Sequence, residues 1–89
     1  MNDSYLEVTF RHGRALAAYY YLPRRPGEKS ARSREVEAGV LVDFSRGGRP
    51  IGIEITIPGR MTVIRMNRIL RQLGQSPVTR RDLAPLRAA

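Results

Sequence analysis

The chain has 89 residues, a net charge of +8 and no cysteine. This length is that of one domain, and without cysteine the chain can form no disulfide, thiolate metal site or cysteine nucleophile. No apolar run approaches the ~20 residues of a membrane span. The first eight residues also lack the regions of a signal peptide, so we expect a cytoplasmic protein. The excess of basic over acidic residues, 16 to 8, favours a polyanionic partner. A GC-rich genome would explain the use of arginine in place of lysine, but not this excess.

The N-terminal part predicts two strands joined by a tight turn at His12 and Gly13. Residues 5–11 alternate between apolar and polar side chains, which is typical of a half-buried strand. Residues 15–22 read A-L-A-A-Y-Y-Y-L and are apolar on both faces, which indicates a strand covered on both sides. One helix covers only one side of a sheet, so we expect a second copy of the chain on the other. The expected dimer face consists of Ala17, Tyr19 and Tyr21.

A polar loop and a second hairpin follow. Residues 23–33 contain two prolines, a glycine and four basic side chains, which predicts a loop. We place a short strand at residues 34–38 and a hairpin over residues 39–57, centred on two glycines. That register pairs Ser45 with Pro50 and Asp43 with Gly52. It predicts one apolar face made of Val40, Val42, Phe44, Ile51, Ile53, Ile55 and Ile57.

A helix from Thr62 to about Leu73 is predicted by apolar residues at helical spacing, with Thr62 as N-cap and Gly74 just after the end. We therefore predict an α+β fold: a small antiparallel β-sheet of four to five strands with one amphipathic C-terminal α-helix packed on one face. Residues 1–76 form the expected single domain, and residues 77–89 a short C-terminal extension.

The hairpin contains the motif V-x-V-D-F at residues 40–44 and the motif G-I-E-I at residues 52–55. With these motifs it resembles the hairpin of small bacterial proteins of the domain-of-unknown-function family DUF2283. The resemblance covers roughly residues 8–57, with weaker support beyond. Two turns that are acidic in the family are basic or neutral here. The resemblance implies a small antiparallel sheet with a helix and implies no reaction. Relatives are sometimes considered antitoxin-like partners of small ribonuclease toxins, but such toxins are basic, and two basic proteins repel each other. The matching residues are Gly39, Val40, Val42, Asp43, Phe44, Gly48, Arg49, Gly52, Ile53, Glu54 and Ile55, with looser matches at Ala15, Leu16 and Tyr19 to Leu22.

Asp43 and Glu54 are the best candidates for a polar site, since the register puts them on one face as diagonal neighbours. Such a pair could share acid and base roles, but in a chain with 15 arginines we expect both carboxylates to be paired with arginine. The single histidine, His12, is interpreted as a turn residue. We predict no catalytic residue, no metal and no cofactor, and therefore no enzyme.

Two further surfaces are candidates for contacts. Two of the three consecutive tyrosines could stack on bases, although packing against the helix and a partner subunit is the preferred interpretation. The basic residues proposed to contact a nucleic acid or another partner are Arg24, Arg25, Lys29, Arg32, Arg65, Arg68 and Arg71. The helix arginines are also interpretable as a solvated face.

We therefore predict a non-enzymatic binding or assembly module that acts as a homodimer. A nucleic-acid-binding protein that uses the basic loop and the helix arginines is the first alternative. A small hydrolase or an antitoxin-like partner of a toxin is the weakest. The sequence points to no membrane association.

Overall fold

In the computed structural model, which describes residues 4–87, five strands form one antiparallel sheet in the order β1-β2-β5-β4-β3. One α-helix follows the strands, so the predicted α+β fold is confirmed. No helix within residues 4–87 is long and apolar enough to cross a membrane. The strands are β1 (Tyr5–Arg11), β2 (Arg14–Tyr21), β3 (Arg32–Glu37), β4 (Val40–Phe44) and β5 (Pro50–Ile55).

The apolar core lies between the helix and one face of the sheet. Val42 and Ile53 are directly opposite each other on β4 and β5, and both are fully buried. Burial of each such side chain contributes about 1.5–3 kcal/mol to folding, so these two central strands anchor the core. The sheet contributes Ala18, Tyr20, Leu22, Val40, Val42, Phe44, Ile53 and Ile55 to this cluster.

The β4–β5 hairpin departs from the prediction near its turn. The amide of Gly48 donates to the Ser45 carbonyl at 2.9 Å, so the turn is centred one residue earlier than predicted. Gly48 has a φ of 88°, a left-handed backbone conformation that glycine adopts more readily than other residues. A bulge after Asp43 makes Phe44, and not Ser45, the partner of Pro50, whereas the predicted pair Asp43–Gly52 is confirmed.

The two ends of the predicted apolar face differ in outcome. Ile51, at the level of the bulge, is fully buried as predicted, although it does not belong to the main core cluster. Ile57 is 46% exposed, because β5 ends at Ile55 and the chain enters a 3-10 turn at Pro58–Arg60. The core prediction is therefore right for the middle of the hairpin and wrong at its end.

Helix α1 (Val63–Gln72) has the predicted caps and the predicted apolar stripe. The Thr62 hydroxyl accepts a hydrogen bond from the Arg65 amide at 3.0 Å. At the other end, the amides of Gly74 and Gln75 donate to carbonyls of the last turn, which is the Schellman arrangement. The helix residues fully buried against the sheet are Met66, Ile69 and Leu70.

The segment after the helix returns to the core. Val78, Leu83 and Leu86 are each at least 95% buried within the main cluster. Thr79 and Asp82 exchange hydrogen bonds between side chain and amide, as in a capping box. A 3-10 turn at Ala84–Arg87 follows, so these residues complete the core on the helix side of the sheet.

Candidate binding surface

The face of the sheet opposite the helix is not covered by any element within residues 4–87. We call it the open face and define it by the strand positions whose side chains alternate with those of the core. One row across the five strands runs Tyr5, Tyr21, Gly52, Asp43 and Ser33. The next row runs Glu7, Tyr19, Glu54, Leu41 and Glu35.

Charge is distributed unevenly between this face and the rest of the molecule. Four of the eight acidic residues of the chain lie on the open face, and neither row contains a basic residue. Three of the four tyrosines lie there as well. The open face is therefore acidic and aromatic, although the chain as a whole carries a net charge of +8. The four acidic residues are Glu7, Glu35, Asp43 and Glu54.

A hydrogen-bond network at the centre of the open face links three strands, β2, β4 and β3, and passes over a fourth, β5. The Tyr19 hydroxyl donates to Asp43 Oδ2 at 2.7 Å, and the Ser33 hydroxyl donates to Asp43 Oδ1. To reach Asp43 from β2, the Tyr19 side chain crosses β5 directly above Gly52. A Cβ atom at Gly52 would overlap the tyrosine ring, so this position accommodates only glycine while Tyr19 lies there.

The environment of Tyr19 raises the pKa of its hydroxyl well above the ordinary value. Burial is the main cause, and the hydrogen bond to the Asp43 carboxylate adds to it. The pKa of Tyr21 is also raised, chiefly because its hydroxyl donates to Glu7 Oε1 at 3.1 Å. Both phenols are therefore protonated donors at neutral pH.

The aromatic side chains of β1 and β2 form a small cluster at one side of the open face. The rings of Tyr5 and Tyr21 are stacked with centroids 4.3 Å apart, and Tyr19 meets Tyr21 edge-on at 4.7 Å. The guanidinium of Arg24 lies 5.5 Å from the centroid of the Tyr21 ring. This geometry is favourable for a cation over an aromatic face.

Asp43 and Glu54 share the open face, as predicted, but no hydrogen bond or shared partner joins their carboxylates. Asp43 is bound by two hydroxyl groups and not by arginine, so the expected ion pair is wrong for this residue. Glu54 is exposed and has neither a hydrogen bond nor an ion pair within residues 4–87. One carboxylate therefore holds the strands together, and the other faces solvent.

The basic residues chosen from the sequence do not form one surface. Glu37, at the end of β3, binds Arg65 at 3.0 Å and Arg68 at 2.9 Å, so these two helix residues are engaged within the molecule. Arg32 begins β3, about 17 Å from Glu37 along the strand, and the loop before β3 contains Arg24, Arg25 and Lys29. Arg71 is exposed on the helix. The loop and helix residues thus lie at opposite ends of β3.

Three contributors to the open face were missed in the sequence. Ser33 was assigned to the loop because β3 was predicted to begin at residue 34, whereas it begins at residue 32. Glu7 and Glu35 fall on separate predicted strands and were not assigned to a common surface, and only the strand order brings them to the same face as Glu54. Period-two alternation along β3 is the signal that would have placed Ser33 beside Asp43.

The segment from β2 to the end of β5, which contains the central network, resembles a known family. Residues 17–56 match the family model described as Protein of unknown function (DUF2283). This match confirms the resemblance seen in the hairpin. The matched segment contains Tyr19, Ser33, Asp43 and Gly52, so the whole central network lies within it, while β1 and α1 lie entirely outside. No curated protein and no solved structure matches the chain.

Proposed function

We propose that this protein is a non-enzymatic binding module whose open face docks a basic segment of another protein. The observation that carries the proposal is the collection of four carboxylates and three tyrosines on one uncovered sheet face. Complementary charge guides such an encounter and fixes its orientation. An arginine-rich segment is the best fit, because guanidinium groups both pair with carboxylates and stack on aromatic rings.

The chain itself supplies an example of that contact. Arg24 approaches the Tyr21 ring from the edge of the open face, while Glu54 and Glu7 flank the neighbouring Tyr19 row with exposed carboxylates. A partner arginine that lies between Tyr19 and Glu54 would contact an aromatic ring in the same way and a carboxylate in addition. Tyrosine is also common at protein interfaces, since it supplies a large contact area at a low entropic cost.

This proposal revises the identity of the partner expected from the sequence. A homodimer that buried Ala17, Tyr19 and Tyr21 face to face would bring the four acidic residues of one copy against those of the other, at a cost in repulsion. A basic partner avoids that cost. The argument from net charge against a basic, toxin-like partner loses its force as well, because the carboxylates are gathered on one face. A cytoplasmic location without catalysis is part of the same proposal.

Titration with fluorescein-labelled octa-arginine at 50 mM salt tests the proposal. The double variant Glu7→Gln/Glu54→Gln removes two exposed open-face charges, and a glutamine at position 7 can still accept the hydrogen bond from Tyr21. We expect it to bind about three- to tenfold more weakly. Asp82→Asn removes one charge far from the open face and keeps a capping side chain, so it should leave the affinity within twofold. Absence of binding by the native protein, or equal binding by the double variant, would contradict the proposal.

A further inference from the structure

A cleft at one end of the sheet carries the opposite charge to the open face. It lies between the segment of residues 25–31 and the β4–β5 turn, and it has a volume of about 780 Å³. Its walls include three basic side chains, Arg25, Lys29 and Arg46, together with two glycines, and no aromatic residue. The lining is thus cationic and open to solvent.

The two segments that form the cleft are held in place by hydrogen bonds. Arg25 to Glu28 form a β-turn, with the Glu28 amide donating to the Arg25 carbonyl at 3.1 Å. Pro26 and Gly27, at a φ of 82°, have the residue types of a type II turn. Downstream, the Ala31 amide donates to the Phe44 carbonyl at 2.8 Å. The cleft is therefore formed before any ligand arrives.

Glu28 is the one acidic residue among those that line the cleft, and its charge is already engaged. Its carboxylate accepts a hydrogen bond from the Arg25 amide at 2.7 Å and binds Arg49 Nε at 3.1 Å. The hydrogen bond from the Arg25 amide is the main cause that lowers the pKa of Glu28, and the charge of Arg49 adds to it. The carboxylate therefore stays ionised and bound. This ion pair links the loop to the β4–β5 turn and leaves the side chains of Arg25, Lys29 and Arg46 without an acidic partner within residues 4–87.

We propose that this cleft binds the phosphate groups of a nucleic-acid strand. Three unpaired cations around an open, preformed and non-aromatic cleft suit a run of phosphates, which are contacted without regard to base sequence. The site differs from the nucleic-acid surface predicted from the sequence, because Arg46 belongs to it and the helix residues that bind Glu37 do not.

Fluorescence anisotropy with 5′-labelled dodeca-uridylate, measured between 50 and 250 mM salt, tests the assignment. We expect the triple variant Arg25→Gln/Lys29→Gln/Arg46→Gln to bind at least tenfold more weakly at 50 mM salt. The slope of log affinity against log salt should become shallower by about 2, since each phosphate contact to a single strand contributes about 0.7. Urea denaturation of the variant verifies that it is folded.

A matched control separates this cleft from the general positive charge of the protein. Arg71→Gln/Arg80→Gln/Arg81→Gln removes the same charge from exposed residues elsewhere, and its affinity should fall less than threefold. Equal losses in the two triple variants, or no binding by the native protein at 50 mM salt, would overturn the assignment. Displacement of the oligonucleotide by micromolar inorganic phosphate would also overturn it, because the cleft would then be a site for a small anion. None of these outcomes depends on the open face.

Discussion

The contact between Tyr19 and Gly52 gives a physical reason for a glycine in the middle of a central strand. Glycine in a strand interior is usually unfavourable by about 0.5–1 kcal/mol relative to alanine. Here its missing side chain lets Tyr19 lie flat across β5 and reach Asp43 on the next strand. Gly52 is the first residue of the G-I-E-I motif, and Asp43 is the aspartate of the V-x-V-D-F motif. One hydrogen bond between strands, from Tyr19 to Asp43, therefore explains both residues.

Gly52→Ala should destabilise the protein by about 1–3 kcal/mol, because the new methyl group overlaps the Tyr19 ring and the ring must move. In a Tyr19→Ala background, Gly52→Ala should stabilise the protein by at most about 1 kcal/mol, because the clash is gone and alanine is more favourable than glycine in a strand. Urea denaturation of the four proteins of this cycle measures the coupling. Equal effects of Gly52→Ala in both backgrounds would show that Tyr19 is not the obstacle.

The raised pKa of Tyr19 predicts a loss of stability at high pH. A hydroxyl whose pKa is higher in the folded than in the unfolded state contributes stability that is complete below the unfolded value of about 10 and is lost above it. We therefore expect the urea midpoint to fall as the pH rises from 9 to 11. Tyr19→Phe should reduce this fall, and Tyr21→Phe should leave most of it. A fall of the same size in Tyr19→Phe would assign the effect to other groups.

Among the elements, helix α1 is attached to the sheet by charge as well as by its apolar stripe. Glu37 at the end of β3 accepts hydrogen bonds from Arg65 Nε at 3.0 Å and from Arg68 Nε at 2.9 Å. Arg65 also donates to the Ala38 carbonyl at 3.3 Å in the β3–β4 turn. The arginines that the helical pattern marks as solvated therefore fix the helix over one corner of the sheet.

Glu37→Gln tests that attachment through its pH dependence. Hydrogen bonds from Arg68 and then Arg65 lower the pKa of Glu37, so the stabilisation is present above its ordinary value of about 4.3 and is lost as the pH falls below it. We expect a lower urea midpoint than the native protein at pH 7 and a gap that closes towards pH 3. Glu54→Gln, which removes a carboxylate without a partner in the described chain, should show little change at either pH.

Elements with strong local signals were predictable, and long-range side-chain contacts were not. The helix was predicted with both of its caps because Thr62 and Gly74 act within one turn of the residues they cap. The central register of the hairpin was predictable from the alternation of apolar and polar residues, because a shift of one residue would turn every apolar side chain to the other face. The bulge beside Phe44, the partners of Asp43 and the burial of Leu86 all depend on how distant segments meet, and no local pattern encodes that.

At the scale of the whole molecule, the fold separates two kinds of surface. The core closes within a single copy, and the radius of gyration of 12.6 Å is close to the value of about 12 Å expected for a compact chain of this length. Half of the acidic residues lie on the open face, and unpaired cations surround the cleft at the end of the sheet. The net charge of +8 thus conceals an acidic surface and a basic one that can act independently.

This separation predicts that the native protein is monomeric at micromolar concentration and neutral pH. Face-to-face pairing of two open faces would bring the carboxylates of Glu7, Glu35, Asp43 and Glu54 on one copy towards those on the other, and like charges at an interface cost several kcal/mol. The triple variant Glu7→Gln/Glu35→Gln/Glu54→Gln keeps the tyrosine cluster and removes most of that repulsion, so it should dimerise at lower concentration than the native chain. Sedimentation velocity at 50 and 500 mM salt distinguishes the cases. A native dimer whose mass is insensitive to salt would instead support the homodimer expected from the apolar β2 strand, and it would exclude repulsion as the factor that keeps the open face free.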